Sequence, residues 1–342
     1  MLYKPIITGL AFLMSLPASG APKNIARVDL NGDVIFDRYI GLSYDVREVE
    51  ISELDGSIYV SDSSSPGFGK LTENGYWVGG FDVPLFDTTF GFDIDNNDYL
   101  WIAGFEYIDR GLYKYTSSGG YVDGLEDFSP TEADLNGIGY TWAADPLVGS
   151  DTNGIHKIRN SDFARVRYVE GYKPYGTTYD NISKWYWIYN YEGSGNWSLV
   201  KFDDDGNELF TINAFSGYRD LQASPIDGGC WFIGDGQNLF KVNAFGAVIL
   251  RDSTFSEIAA IDVNESDGSV WVASNVPKRL VHLDKDGNRQ LYKEWPGGDF
   301  AHLAVDQRNG TCIVIYEEYK SGRGDVNIQP ASVGEIKAMY AE

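Results

Sequence analysis

Residues 92–119 read FDIDNNDYLWIAGFEYIDRGLYKYTSSG, and this stretch holds the pattern on which the fold depends. An apolar strand ends in acids and amides, a turn follows, and a second strand is centred on Trp101. A third strand carries Lys114 in its middle and ends in a Ser-Ser-Gly turn. Apolar residues that alternate between clusters of Asn, Asp, Ser and Gly are typical of short strands joined by tight turns. The stretch therefore predicts consecutive β-hairpins.

Both strand types recur along the chain. The aromatic-centred strand occurs at intervals of 40 to 45 residues, at Tyr59, Trp101, Trp142, Trp187, Trp231, Trp271 and Ile313. The strand with a central basic residue recurs in step, at Arg27, Lys70, Lys114, Lys157, Lys201, Lys241 and His282. With an apolar strand before each pair and a β-rich run after most of them, every period holds four strands, which we name A, B, C and D.

Four strands in a period of this length are the blade unit of a β-propeller. Two successive sandwiches, the rival all-β fold, would show no single period through the whole chain. The repeated Trp is the bulky residue expected between blades. We therefore predict an all-β fold, a seven-bladed β-propeller of four-stranded antiparallel blades. The basic side chains are expected to lie along apolar blade faces with their charges at the rim.

The two ends of the chain bear on how the ring closes. The last A and B strands, HLAVD at 302–306 and CIVIYE at 312–317, lack an adjacent C–D pair, whereas residues 24–39 match one. We expect the N-terminal pair to complete the last blade and so remove free sheet edges. The tail GEIKAMYAE, after a long loop at 318–333, also resembles a C strand through Lys337. The last blade could thus take its third strand from either end or carry an extra one.

The first residues have the layout of a secretory signal peptide. Lys4 precedes an apolar run from Ile6 to Leu16, and small residues follow from Pro17 to Ala21. The run is too short to cross a bilayer of about 30 Å. We predict a signal peptide at 1–21 and one propeller domain at 22–342, in a bacterial protein that is secreted, periplasmic or at the cell surface, without a membrane span. The alternative is a buried N-terminal strand.

Charge and cysteine content narrow the choice of partners. Fifty acidic and 27 basic residues give a formal net charge of −23, which repels nucleic acid and anionic membranes. Cys230 and Cys312 occupy equivalent positions in different repeats and are expected to be two buried thiols. The acidic turns lack the spacing of a calcium loop and suit Asx turns instead. No cofactor is required, although Ca²⁺ would suit so acidic a chain. The oligomeric state stays open.

The quoted stretch resembles the repeat of two-component-regulator propellers and, more loosely, those of NHL and streptogramin-lyase-like propellers. The shared pattern is an acid-ended A strand, an aromatic B strand, and a Gly-apolar-apolar-basic C strand. The resemblance implies the propeller fold and ligand binding on one face. Streptogramin-lyase relatives would be expected to hold Mg²⁺ with His and Glu, and no such cluster is visible around the three histidines of this sequence.

The D–A and B–C loops should gather on one face of a propeller, and here they are aromatic and acidic. The candidate ligand-binding residues are Tyr44, Asp45, Phe86, Phe90, Tyr172, Tyr175, Tyr218, Arg219, Phe300 and His302. The B–C loops add Glu106, Tyr191, Glu192, Asp235 and Asn275. Rigid aromatics beside carboxylates suit a glycan, a peptide or a partner protein. The aromatics could instead simply plug the mouth of the channel.

We therefore predict a non-catalytic binding or assembly protein. One alternative is a divalent-cation-dependent lyase or lactonase with its site at the channel mouth. Another is a structural or adhesive surface protein, for which Arg323-Gly324-Asp325 is the sequence feature. No nucleophile elbow or Ser-His-acid spacing favours a hydrolase.

Overall fold

The computed structural model describes residues 23–40, 46–62, 67–82, 88–106, 109–126, 132–135, 140–145, 154–180, 183–217, 220–235 and 237–317. These residues form seven four-stranded antiparallel sheets. They contain no helix, and hence none that is long and apolar enough to cross a membrane. The predicted signal peptide and the tail after residue 317 lie outside the described residues.

Blades 1 to 6 are each continuous in sequence. Blade 1 contains β3 (Val46–Ile51), β4 (Ile58–Asp62), β5 (Gly67–Leu71) and β6 (Trp77–Asp82). Blade 2 contains β7 (Thr88–Ile94), β8 (Tyr99–Glu106), β9 (Asp109–Thr116) and β10 (Tyr121–Glu126). Blade 3 contains β11 (Glu132–Leu135), β12 (Tyr140–Asp145), β13 (Gly154–Arg159) and β14 (Arg165–Glu170). Blade 4 contains β15 (Pro174–Asp180), β16 (Trp185–Gly193), β17 (Asn196–Asp203) and β18 (Glu208–Ser216). Blade 5 contains β19 (Leu221–Ser224), β20 (Gly229–Gly234), β21 (Asn238–Val242) and β22 (Val248–Asp252). Blade 6 contains β23 (Glu257–Val263), β24 (Val270–Val276), β25 (Lys278–Leu283) and β26 (Arg289–Glu294).

Blade 7 joins the two ends of the chain. It contains β27 (Phe300–Val305) and β28 (Cys312–Glu317), followed by β1 (Lys23–Val28) and β2 (Val34–Tyr39). Strand β1 pairs with β28 from Lys23 opposite Glu317 to Val28 opposite Cys312, and the buried Lys23 ammonium lies 2.7 Å from the Glu317 carboxylate. Among the described residues, the N-terminus therefore supplies both missing strands, as predicted.

The seven A strands form the inner ring. Strands β3, β7, β11, β15, β19, β23 and β27 each contact the next one, and β27 contacts β3. This cyclic order confirms the seven-bladed propeller. The D strands form the outer edge of the sheets.

Aromatic residues of the B strands fill the space between blades. Five Trp residues are fully buried there, namely Trp101, Trp142, Trp187, Trp231 and Trp271. Basic side chains of the C strands lie across these rings, for example Lys201 with Nζ 4.6 Å from the centroid of Trp187. The prediction that the charges lie at the rim is wrong for most of them: Lys201 and Lys241 are 0% exposed. Their ammonium groups are buried because carbonyl and carboxylate oxygens of the turns surround them.

Tight C–D turns join the outer parts of neighbouring blades. The left-handed Gly75 (φ 75°) packs on the preceding D strand so closely that a β-carbon would lie 2.5 Å from the Phe36 ring. The same contact recurs for Gly119 on Phe81, Gly206 on Val169, Gly246 on Phe210, Gly287 on Leu250 and Gly32 on Leu291. Blade 3 differs, because Phe163 takes this position at φ 54° and stacks 4.9 Å from Trp101.

Candidate functional site

The A–B and C–D turns lie at one end of the blades, and their polar groups are used to join the blades. Lys201 donates to the carbonyls of Gly228 (2.7 Å) and Ala244 (3.0 Å), both in blade 5. Lys157 reaches Asp204 of blade 4 at 2.5 Å. A shallow cavity of about 260 Å³ is lined by this pair together with Val166, Arg167 and Asp205. Lys157 and Asp204 already form an ion pair with each other. We therefore interpret the cavity as part of the contact between blades 3 and 4.

The C–D turns owe their shape to Asx hydrogen bonds, as the sequence predicts. The Asp203 carboxylate accepts N–H bonds from Asp205 (3.0 Å) and Asn207 (2.8 Å), and Asp284 does the same in blade 6. The predicted thiols are also confirmed, since Cys230 and Cys312 are buried and free of a disulfide. Burial raises the pKa of both thiols well above the ordinary value.

Side chains of the inner strands form a second set of bonds around the axis. The Glu48 carboxylate of blade 1 accepts the N–H of Phe92 in blade 2 at 2.5 Å. Asp220 accepts from Ile261 (2.9 Å), Asp262 from Val305 (2.7 Å), and the Thr178 hydroxyl from Ala223 (3.0 Å). In each case the acceptor lies one blade before the donor. These bonds satisfy backbone groups that the innermost strand, as an edge strand, cannot give to a neighbouring strand.

The carboxylates of Glu48, Asp220 and Asp262, which we call the axial carboxylates, have raised pKa values. Burial raises the pKa of Glu48 to about 8, and repulsion from Asp93, Asp220 and Asp262 adds to it, while the Phe92 N–H acts in the opposite direction. Burial likewise raises the pKa of Asp262 to about 7 and that of Asp220 to about 6. Glu48, Asp220 and Asp262 are each partly exposed. Sequence reasoning missed them because their role depends on a backbone N–H of the next blade, 41 to 44 residues further along the chain.

The axial carboxylates do not form a ligand set for a metal. In the described ranges, no group of three or more His, Cys, Asp or Glu side chains is arranged to hold an ion. The oxygens that converge on the axis accept backbone N–H bonds instead. The binding of Ca²⁺ stays a prediction.

The structure distributes the predicted ligand-binding residues over several environments. Tyr44, Asp45, Phe86, Tyr218 and Arg219 lie outside the described residues, and Phe90 lies within β7. Phe300 is 4% exposed and packs against Trp295 and Tyr316, so it belongs to the core of blade 7. His302 lies on the inner strand β27, opposite Ile315, and is partly exposed.

Tyr172, in the D–A loop before β15, and Tyr175, near the start of β15, have different surroundings. Tyr172 packs edge-to-face on Phe202, and its hydroxyl lies 2.5 Å from the Glu208 carboxylate. Burial, and then the bond to Glu208, raise the pKa of the Tyr172 phenol. Tyr175 instead joins an aromatic cluster with Tyr191 and Trp197.

This cluster lies at the D–A/B–C end, where blade 4 meets blade 5. The Trp197 ring lies 5.2 Å from Tyr175 and 4.9 Å from Tyr191, and the two tyrosine rings are 6.1 Å apart. All three side chains are partly exposed, and Trp197 also packs against the buried Tyr189 at 5.5 Å. The sequence singled out Tyr175 and Tyr191 separately; it had no signal for Trp197.

Polar bonds hold the loops around the cluster in place. The Asn190 amide oxygen accepts the N–H of Lys173 at 2.6 Å, and the N–H of Tyr191 bonds to the Lys173 carbonyl at 3.0 Å. One oxygen of Glu192 accepts from the Asn190 amide (2.7 Å) and from the Ser198 hydroxyl (2.6 Å). The D–A loop is therefore fixed to the end of the B strand.

The glycines of these loops face open space. Gly171, Gly193, Gly195 and Gly217 all have positive φ, and no neighbouring atom would lie within 4 Å of an added β-carbon. The left-handed glycines of the C–D turns, by contrast, contact the preceding blade. Among the described residues, the glycine turns at the two ends of blade 4 thus differ: those of the C–D turns pack on a neighbouring blade, and those of the D–A and B–C loops do not.

Together these features define a closed seven-bladed propeller with an open aromatic surface at one end. In a search of solved structures, the chain is similar to Kuenenia stuttgartiensis hydrazine synthase, with a TM-score of 0.63, 13% identity, 80% of this chain and 95% of that chain covered. It is also similar to the Neurospora crassa Pan2 WD40 domain, with a TM-score of 0.62, 10% identity and 81% and 90% covered. The Myceliophteria thermophila Cps50 (Swd1) β-propeller domain gives 0.58, 10%, 80% and 96%. At these identities the likeness shows the fold alone. No protein-family model and no curated protein matches the chain.

Proposed function

We propose that this protein is an exported, non-catalytic recognition module that binds its partner through the D–A/B–C end. The observation that carries the proposal is the partly exposed cluster of Tyr175, Tyr191 and Trp197, held by polar bonds and bordered by open glycine turns. Binding sites on rigid scaffolds are commonly built from loops in this way. Pre-organised aromatics lose little conformational entropy when a ligand is bound.

The polar groups at the end that carries the A–B and C–D turns are used for contacts between blades, which favours the D–A/B–C end as the binding face. Lysines at the A–B/C–D end bond to the turns of the next blade, so the charges there stabilise the ring. The axial carboxylates likewise accept N–H bonds from neighbouring A strands. The lyase or lactonase alternative would need such carboxylates free for a cation, and no contact of the described residues favours it.

Export is the second part of the proposal. Strand β1 begins at Lys23, so removal of residues 1–21 would leave every described strand intact. A formal charge of −23 is compatible with a soluble protein and with a cationic or neutral partner. We also propose that the chain is related to the two-component-regulator, NHL and streptogramin-lyase-like propellers. This part of the proposal rests on the resemblance between their repeats and residues 92–119.

Two matched variants test the binding face. Trp197→Ala removes the ring that both tyrosines contact, and Tyr76→Ala removes a ring that is 58% exposed beside a C–D turn at the opposite end. Wild type and both variants are probed with a glycan array and with a phage-displayed peptide library. We expect Trp197→Ala alone to lose the binding seen in wild type. Binding that survives in Trp197→Ala and disappears in Tyr76→Ala would contradict the assignment of the face.

A further inference from the structure

The cluster of Tyr175, Tyr191 and Trp197 has features that narrow the chemistry of its ligand. We propose that it is a subsite for an uncharged saccharide, with a pyranose ring lying against an aromatic face. This inference rests on the proposed function, because it names the ligand class for the same end of the propeller. Four observations carry it: ring exposure, rigidity, the pairing of the strands, and charge.

Exposure and shape come first. The three rings are steeply inclined to one another, at 81° for Tyr175 and Tyr191 and 75° for Tyr175 and Trp197. They are partly exposed, so they offer ring surface and hydroxyl groups together. A pyranose has one face of polarised C–H bonds, which an electron-rich aromatic face attracts, and a rim of hydroxyls that suits polar neighbours.

Rigidity comes second. Trp197 lies against the buried Tyr189, whose hydroxyl donates to the Gly217 carbonyl at 3.0 Å. Tyr191 is held through its backbone by Lys173, which is in turn held by Asn190. A weakly polar ligand such as a sugar gains little from each contact, so a surface that is ordered before binding favours it.

The pairing of the strands argues against an extended peptide at this point. Trp197 lies in β17, which is hydrogen-bonded to β16 on one side and β18 on the other, and Tyr191 lies in β16 between β15 and β17. Neither strand has a free edge to which a peptide could add as another strand.

Charge separates the classes of saccharide. With a formal net charge of −23, the protein repels uronic-acid and sulfated glycans. The carboxylate of Glu192 is engaged by Asn190 and Ser198 on the other face of β16 and β17, so it serves to position the loop. Because Glu192 already accepts two hydrogen bonds, it offers an ammonium ligand less than a free carboxylate would, and a neutral ligand is the better match.

The test uses the full mature chain on an array of neutral, amino-modified and acidic saccharides. We expect binding to uncharged saccharides, weakened at least about tenfold by Trp197→Ala and by Tyr191→Ala, since each removes one aromatic contact. Trp197→Phe keeps a ring at the same position and should retain most of the affinity. Tyr76→Ala is the control and should bind as wild type. Near-ultraviolet circular dichroism confirms that each variant is folded.

The saccharide subsite and the broader binding face can fail separately. Binding restricted to acidic or amino-modified saccharides, or binding to neutral saccharides that Trp197→Ala leaves unchanged, overturns the saccharide subsite. If no saccharide binds and peptides bind in a manner that depends on Trp197, the subsite is refuted and the binding face stands. If neither saccharides nor peptides bind in a manner that depends on Trp197, both are refuted.

Discussion

The axial carboxylates predict an unusual dependence of stability on pH. Glu48 has a pKa of about 8 in the folded protein, against an ordinary value of 4.5, chiefly because it is buried. Between these two values the folded state binds more protons than the unfolded state. The stability contributed by Glu48 is therefore fully present below about pH 4.5 and is lost as the pH rises through the folded pKa of about 8. Asp262 and Asp220, with pKa values of about 7 and 6, act in the same direction.

The expected magnitude follows from proton linkage. One proton held by the folded state alone changes the free energy of unfolding by about 1.4 kcal/mol for each pH unit. From about pH 5 to about pH 8, Glu48 alone would account for a loss on the order of 3 kcal/mol, and partial access of solvent reduces it. Glu48→Gln keeps an oxygen that can accept the Phe92 N–H and removes the titration. The variant should therefore lose this part of the pH dependence while the blade-to-blade bond remains.

The assay is urea unfolding followed by tryptophan fluorescence at several pH values. Two other groups oppose the carboxylates: burial lowers the pKa of His282 and brings that of Lys201 to about 8, and both effects favour higher pH. They are present in wild type and variant alike, so the difference between the two curves isolates Glu48. Glu294→Gln, on the exposed part of β26, controls for the change in net charge. A slope that is equal in wild type and Glu48→Gln would refute the reasoning.

Three further predictions concern the joints between blades. Phe163→Gly introduces the residue type of the other C–D turns but removes a stacked ring that is 6% exposed. We expect the free energy of unfolding in urea to fall by about 2–4 kcal/mol, and an unchanged or more stable variant would contradict this. Lys241→Met removes a fully buried ammonium from the partly exposed Asp227 carboxylate and from the Lys285 carbonyl, and should cost about 1–3 kcal/mol; the surface variant Lys285→Met should leave the unfolding midpoint nearly unchanged, and similar midpoints for the two variants would argue against a buried joint. Cys230 and Cys312 should react with a thiol reagent only after unfolding, because both are fully buried, and rapid labelling of the native protein would show that these blades open.

Several structural features were accessible from the sequence because they repeat. Trp142 and Lys157 recur at the spacing of a blade, and such spacing reflects local strand pairing that every blade must satisfy. The N-terminal pair around Arg27 was assigned correctly because it restores the strand order of the last blade, where Arg27 now pairs with Asp306 at 3.2 Å. His156 and His282 lie in apolar C strands, and both are buried.

Other features were inaccessible because they depend on distances between blades. The bonds from Glu48, Asp220 and Asp262 join residues 41 to 44 positions apart, and a lone acid in an A strand has no local signature. The ammonium groups of Lys201 and Lys241 are buried because the turns of the next blade lie over them, and the sequence of one blade does not show where those turns lie. Phe163 adopts a backbone conformation that favours glycine, because the gap beside Trp101 accommodates its ring.

The sequence by itself determined the number of blades and their strand order, since these follow from periodic patterning that each blade repeats. It left two ends of the chain as candidates for the third strand of the last blade, and the structure pairs β1 with β28 there. Only the tertiary structure decided which of the described glycine turns pack on a neighbouring blade. Chain segments that are remote in sequence meet at each end, and whether a glycine turn contacts the preceding blade or faces open space depends on that meeting. The aromatic surface of Tyr175, Tyr191 and Trp197 likewise exists only because a D–A loop and a B–C hairpin are brought side by side.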